Sequence, residues 1–471
     1  MGNISITQEP LSKKKISRPD SEWEQDCYQK GCTLARQEAM IRLSEIDKRL
    51  FQNYPTGWEI EGFRERTLMT RFGEVTIRRR LYRDEEGGYH FLLDEYLGLL
   101  PNQEATPSLQ KCLVDLATHV PFRLVSGTLE NLTAGVLSVI TIYRLVQRTA
   151  QAAIEKERED WQALFEEGKL PPCGERKVPI LYSEGDGVWI HLQREEKEHY
   201  EIKNAIAYEG WERLSGKEER YRLVNKRVYC QASEEIPFWE GASLEWSKKW
   251  DLSYPGQVVI GGDGAAWIDS GIEEFAGSIR QLDGFHLARA CGQGWQEGKT
   301  IYQAIRAGEV EEVRGLINTL IPREGKREQS ARRYVERNLE KGKDWRLSGL
   351  GEALQINIGG RGLGTMESNE DKLVANRMKK RGLSWRIGGA CRMAKVIQLK
   401  ANGEIKAFCE RRQNLSSTLT RMNALSVTSS PRPDGYQSWL QAGIPALSGP
   451  HASRPWVKKL RTLINNSYRL N

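Results

Sequence analysis

The 471-residue sequence holds only six histidines and eight cysteines, and the cysteines stand singly at 27, 32, 112, 173, 230, 291, 391 and 409. No Cys-x-x-Cys pair occurs, which argues against a structural zinc site. Isolated thiols of this kind fit a reducing compartment. Runs of about 18 apolar residues are also missing, which argues against a membrane-spanning helix. The stretch Met1 to Asp20 is polar, carries Lys13-Lys14-Lys15 and has no apolar segment behind it, unlike a signal peptide. The expectation is a soluble, cytoplasmic protein with no membrane partner. A strong excess of one charge is absent as well. Lys and Arg total 70 against 63 Asp and Glu, a net +7 with a pI near 8.8, so the placement of charge says more than its sum.

What is present is organised around Val258-Val-Ile-Gly-Gly-Asp263-Gly-Ala-Ala-Trp-Ile268. An apolar run that ends in glycine reads as a buried strand turning sharply past the sheet edge. An earlier stretch, Pro179-Ile-Leu-Tyr-Ser-Glu-Gly-Asp186-Gly-Val-Trp-Ile190, echoes it. Both place an Asp-Gly pair at an expected strand end. Two acids at adjacent strand ends make a hard oxygen site suited to Mg²⁺ or Mn²⁺.

In chain order, 1–60 is read as a disordered tail and a packing or dimerising helix, Glu22 to Asn53. Residues 61–105 read as a small basic β-meander, with strands around Phe72-Gly73-Glu74 and a third at Tyr89–Leu93. Its Arg78, Arg79 and Arg80 suit phosphate contact or a solvated face. Residues 106–170 are helical. Helices from Thr106, from Pro121 to Leu132 and from Val139, the last capped by Ser138, outline a helix-turn-helix. Arg144 and Arg148 on the third helix are its candidate DNA contacts, and many helical hairpins of the same outline bind nothing.

The Pro/Gly cluster at 170–174 marks a boundary. Residues 175–291 read as a mixed sheet with helices on both faces. Its strands are expected at Lys177–Tyr182, Val188–Gln193, His199–Tyr208, Tyr221–Gln231, Val258–Gly262 and Ser278–Leu282, with a helix over Glu234–Trp250. Residues 292–355 break that rhythm and read as a helical insertion. The core is expected to resume over 356–412, and 413–471 is a polar tail ending in a basic helix. The glycine run 359–364 lacks the Lys-Ser/Thr of a phosphate-binding loop. It leads into a helix that opens with Glu367, the candidate third acid. Glu370 is its first replacement, with Glu184 and Asp371 as others. The acid spacings are 77 and 104 residues, the second too long for one strand-helix step. From 376 to 400 there are eight Lys or Arg and no acid. Arg377, Lys379, Lys380, Arg381 and Arg386 are therefore read as a DNA-backbone surface, with an ordinary basic helix as the plain alternative.

The pieces Glu184-Gly-Asp186-Gly-Val-Trp189, Gly262-Asp263-Gly-Ala-Ala-Trp-Ile268, Leu282-Asp-Gly-Phe-His286, Met366-Glu367-Ser368 and Arg377-Met-Lys-Lys-Arg-Gly-Leu-Ser-Trp385 together resemble the ISLre-type insertion-sequence transposases. The resemblance runs over roughly 60–410, in the family's order. It implies a ribonuclease-H-like core with a helical insertion before the last acid. It also implies an Asp-Asp-Glu triad formed by Asp186, Asp263 and Glu367, binding Mg²⁺ or Mn²⁺. Partners implied are double-stranded DNA, both terminal inverted repeats and target, and a homo-oligomer on the DNA ends. In related Mutator-like enzymes a Cys-x-x-His pair follows the second acid, and Asp283-Gly-Phe-His286 stands in the corresponding place, giving Asp283 and His286 supporting roles. Two other readings stay open: a structure-specific nuclease on the same fold, and a DNA-binding regulator with an idle site.

Overall fold

The computed structural model describes residues 22–133, 135–170, 172, 174–214, 220–252, 257–275, 277–349, 362–366, 369, 371–380 and 382–409. Two compact units divide them: 22–110 with 123–141, and 111–122 with 142–409.

In the first unit, helix α1 (Trp23–Gln52) precedes the antiparallel strands β1 (Glu59–Thr70), β2 (Gly73–Arg83) and β3 (Tyr89–His90). The β1–β2 turn closes at Thr70 and Gly73, where a positive φ of 104° suits glycine. Leu68, Val75 and Ile77 alternate inward with Leu93 and Leu99, and α1 covers them with Leu43, Ile46 and Leu50. The expected third strand is cut short at His90. Leu92–Leu97 forms helix α2, because Leu92 and Leu93 turn into this core. Two of the three meander arginines are internal. Arg79 pairs with Asp94, and Arg80 pairs with Asp47, so only Arg78 keeps an exposed head.

Helices α3 (Pro107–Ala117), α4 (Phe122–Leu132) and α5 (Val139–Trp161) follow, as the sequence pattern predicts. Ser138 accepts the Thr141 N–H at 3.0 Å, a side-chain cap at the start of α5. The charged continuation of α5 is one unbroken helix.

The second unit is a mixed α/β body. Its main sheet has strands β4 (Ile180–Leu192), β5 (His199–Tyr208), β8 (Arg227–Cys230), β9 (Gln257–Gly262) and β10 (Ile279–Leu282), in the order β10-β9-β4-β5-β8. A short hairpin, β6 (Trp211–Arg213) with β7 (Tyr221–Leu223), stands apart, so the expected strand over 221–231 is two. β4, β5 and β8 are antiparallel, whereas β9 runs parallel to β4 and β10 parallel to β9. Helices α6 (Phe238–Ser247), α7 (Ala266–Asp269) and α8 (Gly271–Glu274) cover one face, over Leu181, Ala205, Ala207, Tyr229 and Ile260.

After β10 come α9 (Gly284–Gly294), α10 (Gly298–Ala307), α11 (Val310–Thr319) and α12 (Lys326–Arg337). They close on a core shared with Leu282 of β10, with Trp295, Ile301, Ile305, Val313 and Val335 buried. This is the expected helical insertion. The chain returns through 362–366, a helical stretch at Asp371–Met378, strand β11 (Ser384–Trp385) beside the end of β4, and helix α13 (Ile387–Ala401). Among the described residues no helix is long and apolar enough to cross a membrane.

Two expectations are corrected here. Lys177–Tyr182 and Val188–Gln193 are not separate strands, and Asp186 lies within β4 rather than at a strand end. β5 pairs with β4 from Tyr182 to His191 and so carries it straight through the glycines. The stretch 376–400 is also not a uniformly exposed basic surface. Most of α13 is buried: Lys395, 2% exposed, pairs with Glu157 at 2.8 Å, and Gln398 and Asn402 accept the N–H groups of Cys230 and Val228.

Candidate active site

The parallel pairing of β4 with β9 runs from Ile180↔Gln257 to Glu184↔Gly261. Asp186 is two residues further along β4 and Asp263 is the first residue past β9, so both acids lie just beyond that paired stretch. The glycines permit the two strands to approach here. A side chain at Gly262 would lie 2.8 Å from the Gly185 carbonyl oxygen and collide with Ile268. Both acids are half-buried. One Asp186 oxygen accepts the Gly187 N–H at 2.7 Å, and one Asp263 oxygen accepts the Ala265 N–H at 3.0 Å. Each carboxylate is thus oriented by its own turn of backbone.

Asp283 follows β10 and caps α9. It accepts the His286 backbone N–H at 3.0 Å and contacts the His286 ring nitrogen Nδ1 at 2.7 Å. That ring contact raises the His286 pKa above its ordinary value against the effect of burial, and the charges of Asp283, Asp186 and Asp263 add to the rise. For Asp283 burial acts upward, but the hydrogen bonds and charge of His286 outweigh it and the pKa falls. Each partner thus favours the charged form of the other, and Asp186 and Asp263 favour the charged form of His286 as well. From the insertion, the Tyr334 hydroxyl donates to the Asp263 carbonyl oxygen at 2.6 Å.

Glu184 has a different task from the spare-ligand role expected of it. It is 2% exposed. Its carboxylate accepts the backbone N–H groups of Gly364, Thr365 and Met366 at 2.8, 2.9 and 3.2 Å, the Thr365 hydroxyl at 2.7 Å, and the Tyr208 hydroxyl. A carboxylate so engaged has few lone pairs left for an ion. The loop it holds crosses the sheet end. Leu363 lies over Gly261, and Gly364, at φ +119°, passes Asp283 so closely that a Cβ would come within 3.0 Å of it. The segment that immediately precedes Glu367 is thereby fastened between β4, β9 and Asp283.

Glu367 itself lies outside the described residues, as do Glu370, Arg381 and the side chain of Asp371. Among the described residues no group of three His, Cys, Asp or Glu forms a complete metal site. Arg144, Arg148, Lys379, Lys380 and Arg386 are exposed. Arg377 is not part of such a surface. It is 4% exposed, donates to the Ala117 carbonyl at 2.7 Å and stacks between the rings of Phe122 and Trp385.

Sequence reasoning misassigned one residue, Glu184, and missed two, Tyr334 and Glu201. Glu184 carried one usable signal, a two-residue spacing from Asp186 that puts both on one face of a strand. Tyr334 lies in a charged helix and gave none. Glu201 of β5, whose side chain sits over Gly187, is raised in pKa by burial, with Asp263 and Asp186 adding to it.

A family model described as "Uncharacterised protein family (UPF0236)" matches residues 21–413. The chain belongs to this family. A UPF0236 protein of Streptococcus gallolyticus, described as lying in a vanSb 3′ region, is 31% identical over 384 residues, 78% of this chain and 79% of the relative. A UPF0236 protein of Caldanaerobacter subterraneus subsp. tengcongensis is 23% identical over 313 residues, 64% of this chain and 62% of the relative, and its name strings together eleven locus designations. Another from that organism is 22% identical over 321 residues, 66% and 63% of the two chains, with four designations in its name. The UPF0236 match takes in both units, the acid pair, the insertion and the clamped loop.

Proposed function

We propose that this chain is a DDE transposase of an insertion sequence, acting on double-stranded DNA through a ribonuclease-H-like core. The observation that carries the reading is that Asp186 and Asp263 both lie just beyond the paired stretch of β4 and β9, with the loop before Glu367 tied by Glu184 to the same sheet end. Three antiparallel strands followed by two parallel ones, in the order β10-β9-β4-β5-β8, support the core assignment. So does a run of four helices, α9 to α12, ahead of the last acid. A relative whose single name covers eleven loci is what a sequence copied within one genome produces.

The residues fit a hard divalent ion. Two neighbouring carboxylates keep oxygens that their backbone turns do not occupy, and oxygen donors of this kind suit Mg²⁺ or Mn²⁺. Asp186, Asp263 and Glu367 would hold it, and when bound it supplies charge stabilisation for phosphoryl transfer. His286, whose charged form Asp283 favours, offers a donor to a phosphate oxygen beside the acids. Tyr334 holds the Asp263 backbone. Water attacks the phosphorus at an element end and the bond to the 3′ oxygen breaks. The freed 3′-OH then attacks a target phosphorus, forming a new ester and releasing a target 3′-OH. Exposed Arg144, Arg148, Lys379, Lys380 and Arg386 are the proposed contacts to the DNA backbone, and a homo-oligomer would hold the two ends.

The test is cleavage and strand transfer of labelled terminal-repeat DNA with Mg²⁺ or Mn²⁺. Loss of both products in a folded Asp263→Asn chain is expected, and retained cleavage would reject the reading. Nicking without strand transfer would point to a nuclease, and DNA binding without any metal-dependent product to a regulator.

A further inference from the structure

An open groove of about 680 Å³ lies between α9 and α12, next to the acid pair. Two of its lining residues belong to that site as well: His286, bound to Asp283, and Tyr334, bound to the Asp263 carbonyl. Its other ionisable lining residues are Arg289, Lys326 and Arg327, and among the described residues no carboxylate lines it. Lys326 opens α12, where the helix dipole also favours an anion. Phe285 does not line the groove but is the neighbour of His286, which does; it is 51% exposed, with its ring edge-on to that of His286 at 5.6 Å.

Another cavity of the same unit, about 690 Å³, makes the contrast. Five glutamates line it against three cations, so its field does not select a polyanion. The groove beside the acids does.

We infer that this groove carries an unpaired strand of DNA, its phosphates on Arg289, Lys326 and Arg327 and one base against Phe285, and leads that strand to Asp186 and Asp263. An unpaired strand offers an open base face to an aromatic side chain, whereas a duplex keeps its bases stacked on one another. Three cations along a groove neutralise successive phosphates. What happens to the strand at the acids rests on the function proposed above; its binding does not.

The experiment is fluorescence anisotropy of the full chain with a labelled single-stranded oligonucleotide and its duplex, in chelator, over a salt series. Lys326→Glu with Arg327→Glu is expected to weaken single-strand binding about tenfold or more, and to reduce the salt slope by roughly 0.7 for each phosphate that is no longer neutralised. Phe285→Ala should weaken it about five- to a hundredfold and leave the slope unchanged. The milder Lys326→Gln with Arg327→Gln, melting at the wild-type temperature, should show the same direction and so exclude misfolding. Wild-type affinity and slope in all three variants would overturn the inference. So would an equal loss for duplex and single strand. A chain that binds the strand through these residues yet never cleaves DNA overturns the catalytic reading alone. A chain that cleaves terminal-repeat DNA while the groove variants bind normally overturns this inference alone.

Discussion

Asp186 on β4 and Asp263, the first residue past β9, follow the paired stretch of two parallel strands, Ile180↔Gln257 to Glu184↔Gly261. Like charges so placed repel one another until a cation joins them. In chelator, Asp263→Asn should therefore melt at or slightly above the wild-type temperature. Addition of Mn²⁺ should raise the wild-type melting temperature and leave the variant unchanged. Saturation at a hundredfold over Kd corresponds to about 2.7 kcal/mol. Thermal unfolding with and without the ion is the measurement.

Glu184 holds three backbone N–H groups of the loop 364–366. Glu184→Ala leaves these donors without a partner and should cost about 3 kcal/mol. Glu184→Gln keeps the shape and should cost less. Both should speed hydrogen exchange at Gly364, Thr365 and Met366. Unchanged exchange together with a lost Mn²⁺ effect would instead make Glu184 an ion ligand.

The pair of Asp283 and His286 gives a pH window. The raised His286 pKa contributes stability that is complete below its unfolded value near 6.5 and is lost as pH rises through the folded value. The lowered Asp283 pKa contributes stability that is complete above about 3.9 and is lost as pH falls through its folded value. His286→Gln should thus be less stable than wild type between about pH 4 and 6.5, by about 1 kcal/mol or less because the ring is part-exposed. The difference should vanish at high pH. Urea titrations at a series of pH values check it.

Glu274 works in the opposite sense to an ordinary surface carboxylate. Buried beside Ser243 and Glu240, it is pushed up to about 7, chiefly by burial. Its protonated form favours the fold, so its contribution is complete below its ordinary value near 4.5 and is lost as pH rises through about 7. Glu274→Gln should match the wild type at pH 4 and be more stable at pH 8, on the order of 3 kcal/mol. Melting at the two pH values decides it.

Much of this was legible from residue order. The first two meander strands, the helices α3 to α5, the helices after β10 and the strand end before Asp263 follow from periodicity, caps and glycine. Misread features have a common cause in partners that are distant along the chain. Gly185 and Gly187 look like a break, yet β5 pairs through them. Arg377 and Lys395 look like a basic surface, yet Phe122, Trp385 and Glu157 enclose them. The groove of α9 and α12 requires knowing that Arg289 and Arg327 line one cavity, and nothing in their spacing says so.

Glu184 and Asp186 lie two residues apart on one face of β4, and two pleats of a strand span roughly 6.7 Å. The stand-off between the point where the returning loop is tethered and the first acid is therefore a covalent length, as on a ruler cut into the strand. The insertion can grow, shrink or shift without altering that gauge, since nothing in it sets the distance.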